Sequence, residues 1–257
     1  MAVMDEFKEE RESIKNKSFK EKLDYFWYYY KVHTIVGIFL LLLAVIFIKD
    51  IVTNKEYAYY CVFLNSYSVN EEIGFMDEFA ETTDVDLDKY MVVLDDRTQF
   101  STNAYDQTSM AMMQKFVAMI YAGDVDNAVM EKDLYTNYAK SGTFMDLRNV
   151  LTPEQIEKYK DHFYYYDMAE AEEDDAEKYA EIAGENAPVL PEDTVDRKNP
   201  DAMEDPVPIG IFLEGDLRKK IDEAGFYPED SEIVFGFITE TRASLGRAFL
   251  DWLTGNA

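Results

Sequence analysis

The sequence predicts one membrane-crossing helix followed by a three-layer α/β domain with a largely parallel sheet. Three observations carry this. Thr34 to Ile48 (TIVGIFLLLLAVIFI) runs for fifteen residues without a charge. Beyond it, short β-branched and aromatic runs alternate with stretches of helical apolar spacing in the order β-α-β-α-β-α. The one cysteine excludes an internal disulfide, so this domain must be held by packing.

Residues 1–31 form the first segment. Residues 1–17 are charged and mixed in sign and predict no stable element. Ser18 and Glu21 stand at capping-box spacing, so a helix is expected to enter there and run through Lys20 to Tyr30 into the apolar segment. Fifteen helical residues cover only about 22 Å of a hydrocarbon core of roughly 30 Å. The flanks extend the span to 32–52, and Lys31, Lys49 and Asp50 can snorkel to the headgroups. Tyr25 to Tyr30 (YFWYYY) supply an aromatic girdle at one interface. Thr34, Gly37, Leu41 and Ile48 mark the anchor. Gly37 has no small partner four residues away, so no small-xxx-small pairing motif is present. The segment reads as an uncleaved anchor, because 33 residues precede the apolar run and no small-x-small cleavage site follows Ile48. Seven cations precede it (Lys8, Arg11, Lys15, Lys17, Lys20, Lys22, Lys31), against Lys49 and Lys55 just after. That asymmetry places the N-terminus in the cytoplasm and residues 53–257 outside the cell membrane.

In the exterior domain, Glu56 to Leu64 (EYAYYCVFL) predicts the first strand. Asn70 then caps a helix with Ile73, Met76, Phe79 and Ala80 on one face. Lys89 to Leu94 predicts a strand, Ala104 to Ala122 a helix stopped by Gly123, Asp126 to Met130 a strand, and Glu131 to Lys140 a helix closed by Gly142. Phe163 to Tyr166 predicts a further strand. An acidic insertion follows at about 167–206, read as a helix over 169–183 and then an exposed loop with Pro188, Pro191 and Pro200. Val207 to Leu213 and Glu232 to Ile238 predict strands, with a short helix at Leu217, Ile221 and Ala224 between them. Leu245, Ala248, Phe249, Trp252 and Leu253 form an amphipathic stripe on the last helix.

The chain holds 25 basic and 52 acidic residues. Residues 1–55 take nine and eight of them, leaving 16 and 44 for residues 56–257. An exterior part carrying some 28 negative charges argues against nucleic acid or an anionic membrane face as a partner.

Ala122 to Met130 (AGDVDNAVM), Leu134, Tyr138, Gly142, Phe144 to Leu147 (FMDL) and Leu151 together resemble bacterial extracellular solute-binding proteins. So do Val234 to Ile238 (VFGFI) and Ala248 to Leu253 (AFLDWL), which are similar to the closing strand and helix of that family. Phe26 to Ile35 (FWYYYKVHTI) is similar to membrane-anchored proteins of Gram-positive bacteria. The resemblance implies a type II solute-binding lobe, shortened and held by a helix. It also implies capture of a small solute, a sugar or peptide, for a transporter or sensor in the same membrane.

Signatures of catalysis are absent: no G-x-S-x-G elbow, no phosphate loop, no H-E-x-x-H helix. Neither an enzyme, a cofactor nor a metal is expected. His162 beside Asp161 and near Glu157 reads as a surface histidine, and Cys61 as a small core residue. Asp84, Asp86 and Asp88 have the 1-3-5 spacing of a calcium loop, but Lys89 stands where the loop needs Gly. In an open α/β sheet ligands collect beyond the carboxyl ends of the strands. That rule selects Asn65, Ser66, Asp95, Asp96 and Glu131, with Tyr165 added as an aromatic platform for a sugar or peptide. The alternative is a non-catalytic surface protein whose fold has lost its cleft and binds protein partners.

Overall fold

The computed structural model describes residues 18–101, 107–173 and 193–255, and the chain divides into two units, Met1–Asn54 and Lys55–Ala257. The described part of the first unit is a single helix, α1 (Phe19–Thr53), with no break between the juxtamembrane and apolar parts. Its predicted cap forms: the Ser18 amide and hydroxyl donate to the Glu21 carboxylate at 2.9 and 2.8 Å, and the Glu21 amide donates back to Ser18 Oγ. Thirty-five residues make about 52 Å of helix, well beyond the hydrocarbon core. The aromatic girdle stacks along the helix at i,i+4, Tyr25 on Tyr29 at 4.6 Å and Phe26 on Tyr30 at 5.4 Å. By length and composition α1 is able to cross a membrane.

The second unit is α/β. Its elements run β1 (Glu56–Phe63), α2 (Asn70–Ile73), α3 (Phe75–Glu81), β2 (Tyr90–Asp95), α4 (Gln107–Ala122), β3 (Asn127–Glu131), α5 (Lys132–Lys140), α6 (Leu147–Val150) and α7 (Pro153–Tyr159). They continue with β4 (Phe163–Asp167), α8 (Met168–Glu173), β5 (Pro206–Leu213), α9 (Lys219–Ala224), β6 (Ile233–Phe237) and α10 (Ala243–Leu253). The six strands form one sheet in the order β2-β1-β3-β6-β5-β4. Alternate residues feed two cores. Tyr59, Cys61 and Phe63 of β1 point to the face covered by α3, α7 and α10, whereas Tyr60 and Val62 point to the face covered by α4 and α5. The predicted three layers are present.

The predicted strand directions are not. The sheet is mixed rather than largely parallel: β1 pairs parallel with β2 and β3, whereas β3–β6, β6–β5 and β5–β4 are antiparallel. A parallel crossover needs a connecting helix long enough to carry the chain back along the strand. The connection from β5 to β6, residues 214–232, is long enough for a crossover. Its short helices, including the six residues of α9, do not carry the chain back along the sheet, and it enters β6 antiparallel to β5. The strand sequences conceal this. β6 is buried on both faces, so it shows the continuous apolar run expected of a parallel strand.

Two local expectations also change. The helix after Asn70 is two helices joined at Gly74, which takes a left-handed φ of 64°. Asn70 Oδ1 accepts from the Met76 amide at 2.9 Å and so caps the second of them, leaving Ile73 exposed while Met76, Phe79 and Ala80 pack. The acidic insertion is more ordered at its ends than a free loop. α8 occupies 168–173, and residues 193–205 pack back on β4: the Tyr165 amide donates to Arg197 O at 2.8 Å and the Met168 amide to Asp205 O at 2.9 Å. Residues 174–192, including most of the helix expected over 169–183, lie outside the described residues, as do 102–106 at the expected start of α4.

Tyr135 of α5 organises the antiparallel half. β5 carries a bulge against β4 at Ile209, and Tyr135 donates its hydroxyl to the Ile209 carbonyl at 2.7 Å. The ring lies over Gly210 and Gly236, which are register partners on β5 and β6, and stacks on Phe144 at 3.9 Å. A Cβ at Gly210 would sit 2.6 Å from the Tyr135 oxygen, and one at Gly236 closer still. The tyrosine therefore requires both glycines.

Candidate functional site

Parallel strands β1, β2 and β3 end together, and there the chain gathers polar side chains. Asn65 closes β1 with a φ of 57°, a left-handed turn that asparagine tolerates better than most residues. Its Oδ1 accepts from the Phe100 amide at 2.9 Å, and its own amide donates to Thr98 O at 3.1 Å. The loops after β1 and β2 are thereby tied together. Gln99 adds a third tie, its Nε2 donating to Ser66 O at 2.7 Å. From the other side Tyr227 lies 3.0 and 2.9 Å from the carbonyl oxygens of Leu64 and Val129, with its hydroxyl pushed well above its ordinary pKa by burial.

Between these loops lies an open groove of about 380 Å³ lined by Asn65, Ser66, Tyr67, Gln99, Phe100, Ser101 and Ser109. Two of the six sequence-selected residues, Asn65 and Ser66, line it. Asp95 and Asp96 sit at the same strand end with their carboxylates turned into the chain. Asp96 accepts from the Val69 and Asn70 amides at 2.7 and 2.8 Å and from the Ser68 hydroxyl at 3.3 Å, which satisfies the exposed donors at the start of α2. Asp95 accepts from the Arg97 and Thr98 amides, the Thr98 hydroxyl at 2.7 Å and the Tyr60 hydroxyl at 3.2 Å. Burial raises the Asp95 pKa, but the Thr98 and Arg97 hydrogen bonds outweigh it and hold the carboxyl below its ordinary value. Glu131 ends β3 outside the groove, its pKa raised by partial burial and by Asp133 and Asp230. Tyr165 is on β4, the opposite edge strand, and shares nothing with the groove.

Sequence reasoning stopped at the strand ends and so missed Tyr67, Gln99, Phe100, Ser101 and Ser109. The signal was present: two polar loops follow adjacent parallel strands, and loops so placed must face one another. Tyr67 is 60% exposed, large for an aromatic residue in an ordered loop.

The other chemically suggestive residues have structural partners. His162 Nδ1 lies 3.0 Å from Glu214, which also takes Lys198, whereas Glu157 pairs with Lys160. Cys61 is buried in the sheet and burial drives its thiol pKa upward. Asp86 of the aspartate triplet holds Lys89 at 2.8 Å, and among the described residues no group of His, Cys, Asp or Glu is placed to hold a metal. Asp126, raised by burial more than Arg242 lowers it, accepts from Arg242 at 2.6 Å and from the Tyr60 amide at 2.8 Å, joining β1, β3 and α10. Among the described residues the groove at the parallel strand ends has groups left to offer a ligand. A second surface groove of about 390 Å³, between α7 and α10, is lined by Thr152, Glu154, Gln155, Lys158, Arg247 and Asp251, of which Gln155 and Lys158 are both bonded to Asp251. No family model matches the chain, and comparison with curated proteins and with solved structures gives no match.

Proposed function

We propose that the chain is a membrane-anchored binding module that captures a small solute outside the cell and presents it to a transporter or sensor in the same membrane. The observation that carries this reading is the groove between the Asn65–Tyr67 and Gln99–Ser101 loops, open to solvent at the carboxyl ends of β1 and β2. The resemblance to extracellular solute-binding proteins and the apolar helix supply the context. Cations concentrated before the apolar run of α1 orient the domain outward. Among the described residues the groove contains no nucleophile–base pair and no clustered carboxylates, and the reading is capture without chemistry.

The competing reading, an interaction protein without a ligand cleft, is favoured by one observation: both aspartates at the strand ends are consumed by hydrogen bonds within the chain. A thermal-shift screen of the full chain in lipid nanodiscs separates the two. Sugars, amino acids and peptides form the library. A ligand at 100 times its dissociation constant adds about 2.7 kcal/mol, roughly 5–11 °C for a domain of this size. A stabilising hit is expected, and a blank across the whole library would leave the interaction protein standing.

A further inference from the structure

We infer that the groove at the ends of β1 and β2 takes an uncharged carbohydrate, an inference that rests on the binding-module reading. The exterior domain is strongly acidic, yet among the described residues no carboxylate, ammonium, guanidinium or imidazole lines the groove. Its neutrality is constructed. Two carboxylates at the same strand end, Asp95 and Asp96, are turned away and consumed by amides and hydroxyls of the loops themselves. A charged ligand would have to leave water for a lining with no counter-charge, and that desolvation is costly without a partner.

What the lining offers is specific. Asn65 spends its Oδ1 on the Phe100 amide, which fixes the side-chain amide with Nδ2 as the end still able to donate. Gln99 spends its Nε2 on Ser66 O, which fixes Oε1 as the end still able to accept. Neither of these remaining ends has a partner among the described residues. One amide donor and one amide acceptor therefore remain beside the exposed Tyr67 ring. A sugar ring matches that set, because each hydroxyl both donates and accepts while the C–H face lies on an aromatic ring. An extended peptide matches it poorly, since it needs a row of free main-chain groups. Here the Asn65, Tyr67, Phe100 and Ser101 amides are already bonded, to Thr98 O, Phe226 O, Asn65 Oδ1 and Ser109 Oγ.

The test uses the full chain in phosphatidylcholine nanodiscs with isothermal titration. The probes are neutral hexoses and their short oligomers, the matching uronic acids and amino sugars, and neutral tripeptide amides. Variants Gln99→Ala and Tyr67→Ala remove exposed side chains and leave the Asn65 turn intact. A neutral saccharide is expected to bind, its charged counterparts to bind at least about tenfold more weakly, and each variant to lose about tenfold or more. The ligand-free melting temperature should stay at the wild-type value in Tyr67→Ala and fall by no more than a few degrees in Gln99→Ala, which also loses its bond to Ser66 O. If a charged sugar or a peptide binds better, at a site lost in both variants, the carbohydrate assignment falls and the binding module stands. If a saccharide binds equally to wild type and both variants, the groove is not its site and the inference falls. If no probe binds, both readings fall.

Discussion

The halves of the sheet, β2-β1-β3 and β6-β5-β4, are made from similar aromatic and aliphatic runs and meet opposite demands. In the parallel half three strands run the same way, so their carboxyl ends open together and the loops beyond them must face each other. Polar side chains gather there, and after Asp95 and Asp96 have satisfied the loop amides a neutral groove remains. In the antiparallel half, neighbouring strands end at opposite sides and the outer edge is closed by the chain itself. Residues 193–205 lie against β4, and Arg197, 3% exposed, grips Asp193 on one side and Glu170 on the other. Strand direction, not composition, decides at which end of the sheet the loops of the parallel half meet and leave this groove between them.

The strongest way to break that contrast is to open the closed edge. Arg197 Nε lies 2.8 Å from Asp193, the guanidinium reaches Glu170 at 3.2 Å, and its carbon stands 5.2 Å from the Tyr166 ring centre. Arg197→Met should cost about 3–5 kcal/mol, because it leaves Asp193 buried without its counter-charge. For a domain of this size that lowers the melting temperature by roughly 6–20 °C. The double variant Arg197→Met, Asp193→Leu should recover much of the loss, since it removes the stranded charge as well. Burial raises the Asp193 pKa, but hydrogen bonds from Arg197 and Thr136 outweigh it and hold the carboxyl below its ordinary value. A depressed folded-state value means stability that is present above the unfolded pKa of about 3.9 and lost as pH falls through the folded one. Thermal melts from pH 7 to pH 2 should show that acid loss in wild type and a smaller one in Arg197→Met. Equal acid sensitivity in the two proteins would remove Arg197 as the closing contact.

A smaller effect is expected where Tyr135 crosses the glycines. Gly236→Ala places a methyl inside the contact distance of the Tyr135 hydroxyl and 2.7 Å from Phe144 Cδ1, and Gly210→Ala does the same from β5. Overpacking of this kind costs about 1–3 kcal/mol. Tyr135→Phe, which leaves the bulge carbonyl of Ile209 without its donor, should cost about 1–3 kcal/mol alone. In combination with Gly236→Ala it should be less damaging than the sum, because the hydroxyl is the nearest atom to the new methyl. Urea melts of the four proteins measure this coupling, and strict additivity would show that tyrosine and glycine act independently.

This division also explains what could be read from the chain. Strand-forming runs located each of the described strands to within a residue or two, because β-branched and aromatic residues suit a strand whichever way it points. Direction depends on the length and path of the connections, and six residues of α9 carry no mark that the chain will turn back. Asn65 and Ser66 were reachable because a strand end can be seen in sequence. The orientation of Asp95 and Asp96 was not, since it depends on which amides the loop from Ser68 to Asn70 brings to them. Gly236 looked like an ordinary glycine in a strand until Tyr135, a hundred residues earlier, was placed on it.

The mildest test sets one ion pair against another at the two sheet edges. Lys89 and Asp86, just before β2, meet at 2.8 Å, the same separation as Arg197 and Asp193 beside β4. Their side chains are 73% and 47% exposed, against 2% and 7% for the buried pair. Water screens the first pair and solvates either partner left alone, so Lys89→Ala should change stability by no more than about 0.5–1 kcal/mol. Adding 1 M salt, where the screening length is about 3 Å, should erase even that difference and leave the Arg197→Met deficit largely in place. A Lys89→Ala loss comparable to that of Arg197→Met would mean that the β2 edge is closed too, by contacts as costly to break as those over β4. The groove could not then be attributed to the openness of the parallel half. A loss within the noise of the melt, beside a large one for Arg197, would place the difference between the edges in solvent access and in the second carboxylate, Glu170, that Arg197 holds, since the shortest separations match.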